Sequence, residues 1–124
     1  MKILFFAVFA ITGLFNNNID PITNALQAGD IDQLATYFDG QIEMAILEDS
    51  DLYSKQAAIN KLQAFFADHQ PTTFKQLHKG VSEGQKSSFF IGDLNTPTAS
   101  YRIYIYLQEK NGKSFIQELR IDEE

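Results

Sequence analysis

Few side chains in this sequence could do chemistry: two His, no Cys, and carboxylates that are mostly scattered. His78 is the candidate base, since a neutral imidazole in a cavity takes a proton or orients a ligand near neutral pH. Its segment alternates inconsistently, with Phe74, Gln76 and His78 on one side and Leu77 and Val81 on the other. The direction of the ring is therefore not fixed by sequence, and a partly exposed structural His fits these residues better. His69 falls in the last turn of the longest predicted helix, where the helix dipole favours a cation. Asp39 is explained by an Asp39-Gly40 turn and Glu43 by the solvent side of a strand. No inward carboxylate sits beside a hydrogen-bond donor, so proton-transfer chemistry lacks its parts. Asp49-Ser50-Asp51 has the opening of a calcium loop but not its following Gly or distant Glu, which makes it a solvated connection. Without Cys, and with His69 and His78 apart, a structural zinc site is not expected. No phosphate-cradling loop or nucleophile elbow occurs. The expectation is a protein without metal or cofactor, and not an enzyme.

Composition narrows the partners. The chain has 124 residues and a net charge of −6, with 44% hydrophobic and 13% aromatic residues. That suits one domain with a real core. An acidic balance with scattered Lys and Arg argues against nucleic acid and against an anionic membrane surface. The segment from Ile3 to Phe15 is a continuous apolar run behind Lys2, shorter than a bilayer span and shaped like the h-region of a secretory leader. Residues 1–15 are read as a signal peptide, with Ala10 or Gly13 as possible cleavage residues, and 16–124 as one domain. The domain would then be periplasmic or secreted, with no stable membrane span after processing, and held together by packing alone.

Stepping along that domain, Asp20-Pro21 is a helix start, Ile22, Ala25 and Leu26 make its apolar face, and Gly29 stops it. Asp30 caps a second helix with Gln33 three residues on, and Ile31, Leu34, Ala35 and Phe38 form its stripe. Gln41 to Leu47 alternates as a half-buried strand carrying Met44 inward. A polar connection follows, and Ser54 caps the longest helix, whose face carries Ala58, Ile59, Leu62, Phe65 and Phe66. After Pro71 the chain reads as four strands, 73–82, 86–94, 99–109 and 113–122, joined by short turns into an antiparallel meander.

The last hairpin gives a sharper expectation. A three-residue Lys110-Asn111-Gly112 loop pairs Leu107 with Phe115 and Ile103 with Leu119, which segregates the faces. A two-residue Asn111-Gly112 turn would pair Ile105 with Glu118 and Ile103 with Arg120, mixing apolar and charged side chains on both. In the preferred register Ile103, Ile105, Leu107, Phe115, Leu119 and Ile121 pack on the helices. Arg102, Tyr104, Tyr106, Ile116, Glu118 and Arg120 face outward. Tyrosines and an isoleucine rimmed by charge form a candidate interface, against the plainer reading of a solvated sheet face.

The segments ALQAGDIDQLATYFDG (25–40), Tyr53-Ser54-Lys55 with Phe65-Phe66, FKQLHKG (74–80), YRIYIYL (101–107) and IQELRI (116–121) carry a resemblance. In element order the chain resembles a nuclear transport factor 2-like domain, an α+β fold. More closely it is similar to a family of exported bacterial proteins of unknown function with that fold. The resemblance implies a cone of two short helices and one long helix packed on a curved, mainly antiparallel sheet. Fold alone does not assign a role, because this architecture serves enzymes, ligand binders and dimerisation modules. The expectation is an exported, non-enzymatic homodimer. It would bind a protein partner, or a small apolar ligand in a pocket formed by Met44, Phe66, His78 and Tyr101. The alternative is an isomerase- or dehydratase-type enzyme with His78 as base.

Overall fold

The computed structural model describes residues 19–82, 84 and 86–124; the proposed leader, residues 1–15, lies outside them. Among the described residues, three helices pack on a six-stranded mixed sheet. Helix α1 (Ile19–Ala28) begins one residue before Asp20, so Asp20 lies inside its first turn with Pro21 rather than ahead of it. The Asp30 carboxylate then accepts from the Gln33 amide at 3.1 Å and starts the short α2 (Ile31–Ala35), whose Ile31, Leu34 and Ala35 are buried. Phe38, expected at the end of that helix, instead opens strand β1 (Phe38–Ile46) and is still buried. The predicted Asp39-Gly40 turn is therefore part of the strand.

An unexpected strand follows. Residues read from sequence as a polar connection form β2 (Asp49–Ser54), an antiparallel edge strand on β1. Its residues are nearly all exposed, so it has no apolar alternation to reveal it. Its end is also a helix cap: Ser54 Oγ accepts from the Ala57 amide at 3.3 Å and starts α3 (Lys55–Asp68). Ala58, Leu62, Phe65 and Phe66 form the buried face of α3.

Strands β3 (Thr73–Val81), β4 (Ser87–Asn95), β5 (Ser100–Lys110) and β6 (Lys113–Glu123) complete the sheet in the order β2-β1-β6-β5-β4-β3. All neighbours are antiparallel except β1 and β6, which run parallel because the α3 and β3–β5 excursion separates them in the chain. One face of the sheet and the three helices share a single core that includes Ile22, Leu34, Leu62, Phe90, Ile105 and Leu119.

The β5–β6 hairpin corrects the expected register. Lys110 pairs with Lys113, and Asn111 (φ 53°) and Gly112 (φ 81°) form the two-residue turn with positive φ at both central positions, as a type I′ connection requires. The pairing is then broken by a bulge: Leu107 pairs with Ile116 and Tyr106 with Glu118, leaving Gln117 as the extra residue. Past the bulge Ile105 meets Leu119 and Ile103 meets Ile121. The tight turn and the segregated faces are both satisfied, which an unbroken ladder could not do. The cost is an exchange of sides before the bulge: Ile116 is fully buried, and Phe115, expected inward, is not.

Candidate functional site

The helix-facing side of the sheet is core. Met44 is 1% exposed, Phe66 3% and Tyr101 4%, all within the common core. Phe65 sits edge-on to both Phe66 and Tyr101, with ring centroids 5.5 and 5.3 Å apart. His69 caps this stack. Its ring lies 4.2 Å from that of Phe65 and nearly parallel to it, and its Nδ1 donates to the Phe65 carbonyl at 2.8 Å. A carbonyl only accepts, so Nδ1 carries the proton, and His69 ties down the end of α3. These contacts leave three of the four expected pocket residues as packing. The fourth, His78, is on the other side: it pairs with Ile91 in the outward register and is exposed. A second bulge, with Leu77 as the extra residue between Gln76 and His78, is the reason its strand alternates inconsistently.

The outward face is ordered by register into rows that cross the strands. One row runs His78, Ile91, Tyr104, Arg120, Ala45, Ser50. The next, two residues along each strand, runs Gly80, Phe89, Tyr106, Glu118, Glu43, Leu52. Five of the six expected interface residues, Arg102, Tyr104, Tyr106, Glu118 and Arg120, are brought together here. Ile116 is not, because the Gln117 bulge turns it inward. The apolar part of the face comes instead from Phe89 and Ile91 on β4, on the other side of the β5 tyrosines. Sequence reasoning missed them because β4 is apolar on both sides, with Phe90 and Leu94 fully buried behind them.

The Phe89 ring covers Gly80 on the neighbouring strand, in the space that a side chain there would occupy. The same ring stacks near that of Tyr104, at 6.1 Å between centroids. Phe89, Ile91, Tyr104 and Tyr106 are all half-buried and make a continuous aromatic and aliphatic patch. Partial burial, and secondarily the negative charge of Glu118, push the Tyr104 phenol above its ordinary value.

Charge flanks the patch on two sides. One row along the strands from Tyr104, Arg102 Nε donates to Asp93 at 2.8 Å, and its Nη2 lies 3.5 Å from Glu124. Hydrogen bonding between the two carboxyls, with Arg102 beside them, holds Asp93 below its ordinary value and pushes Glu124 above it. Toward β2, Glu43 and Glu118 are direct register partners on parallel strands. Like charges set opposite each other destabilise a sheet unless a cation meets them. Among the described residues, neither Glu, nor Arg120, is in an ion pair. Two open clefts, of about 480 and 700 Å³, share Glu43, Leu52 and Glu118 as lining; the first adds Arg120 and the second Tyr106 and Lys110.

Asp39 lies at the edge of the larger cleft. Its Oδ1 accepts from the Gly40 amide at 2.8 Å, and its Oδ2 from Lys110 Nζ at 2.5 Å and from the amide of Gln117. Lys110, more than the other partners, holds the Asp39 carboxyl below its ordinary value. The turn expected from Asp39 is absent. What the carboxylate does is fasten the bulged residue of β6 to the start of β1. Among the described residues no cluster of three or more His, Asp or Glu is arranged to hold a metal ion. None of the described helices is long and apolar enough to cross a membrane.

Residues 19–122 match the family described as "Domain of unknown function (DUF4783)". A DUF4783 family protein from Bacteroides uniformis is 26% identical, with a TM-score of 0.80 over 85% of this chain and 95% of that one. One from Bacteroides fragilis is 29% identical, with a TM-score of 0.78 over 84% and 96%. An NTF2-like protein from Cytophaga hutchinsonii shares the fold at 8% identity, with a TM-score of 0.65 over 91% and 98%. No curated protein matches the chain.

Proposed function

The chain belongs to the DUF4783 family, with a nuclear transport factor 2-like fold, and from that premise we propose that it is an exported, non-enzymatic module that associates through the outward face of its sheet. One observation carries the reading: Phe89, Ile91, Tyr104 and Tyr106 form a half-buried apolar patch on the face opposite the helices. Aromatic side chains with Arg at the rim are the composition of contact surfaces. A six-stranded face is large enough for an interface of standard size, about 800 Å² on each partner.

The partner is a second copy of the chain. A single sheet face offering both charge signs around an apolar centre suits a self-complementary, two-fold contact. A small apolar ligand inside the fold is not part of this proposal, since Met44, Phe65 and Phe66 occupy that space as core. The enzyme reading loses its inward base, because His78 is itself exposed and faces outward. Export rests on the apolar run from Ile3 to Phe15 behind Lys2.

Replacing Tyr104 and Tyr106 together by Glu tests the dimer. The wild-type chain, freed of residues 1–15, is expected to sediment as a dimer and the double variant as a folded monomer. A monomeric wild type, or a folded double variant of unchanged mass, would end the proposal.

A further inference from the structure

The two outward rows differ in a way that fixes how two copies would meet. The row through Tyr104 carries the cation Arg120 and the small Ala45. The row through Tyr106 carries the anions Glu118 and Glu43 and the small Gly80. Consider a two-fold axis lying between two face-to-face sheets and running across the strands, midway between these rows. It brings each row of one copy over the other row of its mate. Tyr104 then meets Tyr106, Ile91 meets Phe89, and Arg120 meets Glu118. His78 lands over Gly80 and Ala45 over Glu43, so large side chains face small ones. An axis along β6 does the opposite, setting Glu118 on Glu118 and Arg120 on Arg120, and such like-charge contacts oppose association.

The like-charged Glu43 and Glu118 pair supplies the independent reason for this choice. It is a fault in an isolated chain, with no cation recorded in an ion pair with either carboxylate among the described residues. Arg120, two residues along the same strand face, is likewise in no ion pair there. Packed sheets stand about 10 Å apart, a gap that Arg and Glu side chains reaching from opposite sides can close. We propose that two copies associate about the cross-strand axis, with Arg120 of each copy neutralising the Glu118–Glu43 pair of the other. This rests on the outward-face dimer proposed above and adds its geometry and its electrostatic key.

Complementary charge reversal tests it apart from the dimer itself. One variant carries Arg120→Glu, the other Glu43→Lys with Glu118→Lys. Each alone sets like charges across the interface and is expected to weaken self-association at least 100-fold. Mixed in equal amounts they restore attraction at both crossings, so native mass spectrometry should find the mixed dimer and neither homodimer. Variants that still self-associate like wild type would overturn the charge matching while leaving the aromatic dimer standing, provided the Tyr104 and Tyr106 double variant is monomeric. Two folded variants that stay monomeric when mixed would overturn it as well. A monomeric wild type would overturn both proposals. Salt provides a check that needs no substitution: the wild-type dimer should dissociate several-fold more readily at high ionic strength, and a dimer indifferent to salt or tightened by it rules the matching out.

Discussion

The two faces of this sheet are built by the same strands and differ by one residue of phase. Along β5, Ile103, Ile105 and Leu107 are essentially unexposed, and Arg102, Tyr104 and Tyr106 between them reach the other side. On the helix side the packing is closed, apolar and continuous from α1 to β6. On the outer side the residues are as large but stay half-covered, and their charges are only partly matched within the chain. A face that is complete and a face that is not, on one scaffold, separate what the chain needs to fold from what it offers outward.

Adjacent residues of β4 make the sharpest break of that comparison. Phe90 is fully buried and its ring meets Phe74 edge-on at 6.3 Å, while Ile91 faces outward. Phe90→Ala is expected to lower monomer stability by about 3–5 kcal/mol, through lost transfer energy and the cavity left behind. Ile91→Ala should cost the monomer less than about 1 kcal/mol, as surface substitutions do, and weaken the dimer instead. Urea unfolding in the Tyr104→Glu, Tyr106→Glu background separates the two, since there no association adds to stability. Equal losses at both positions would mean that the outer face is as much a core as the inner one.

The inward face was legible because burial imposes a pattern on sequence. Caps at Asp30 and Ser54, most of the helical stripes and all four later strands could be read from periodicity and turn residues. What could not be read was set by single inserted residues. Gln117 and Leu77 are each an extra residue in a ladder, and no local composition marks them. One sent Ile116 inward, and the other hid the direction of His78. Strand β2 was missed for a different reason. As an exposed edge strand it buries too little to need alternation, and Asp49, Ser50 and Asp51 are ordinary loop residues. Phe89 and Ile91 were obscured by excess, because a strand apolar on both sides does not say which side is core. The outer face depends on register across five strand pairs, and that information is not local.

The link between the two faces is Asp39, whose carboxylate joins Lys110 and the bulged Gln117. Because its folded value is depressed, it stabilises the fold above the unfolded carboxylate value, and that contribution is lost as pH falls through the folded value. Lys110→Met removes the leading cause. With the Lys110 side chain 48% exposed, the loss at neutral pH should be under about 1 kcal/mol. Well on the acid side of that range the variant and wild type should converge, because Asp39 is then protonated in both. A constant difference across the range would show that Lys110 acts by packing and not through the carboxylate.

The smallest expected effect sharpens the comparison at the rim where the faces meet. Leu47, in the turn from β1 to β2, has φ 57°, a left-handed backbone that costs an ordinary L-residue about 1–2 kcal/mol. Its side chain is 41% exposed, so little burial offsets the strain. It lines the smaller outward cleft with Leu52, Glu118 and Arg120, beside the row that the dimer would cover. Asn tolerates this conformation better than Leu. In the monomeric background Leu47→Asn should therefore raise stability by about 0.5–1 kcal/mol, seen as a higher urea midpoint at unchanged slope. In the otherwise wild-type chain the same change should weaken association, because an apolar side chain leaves the contact rim. A gain in both would mean that the strain serves nothing on the outward face. A loss in the monomer would mean that Leu47 belongs to the closed face after all.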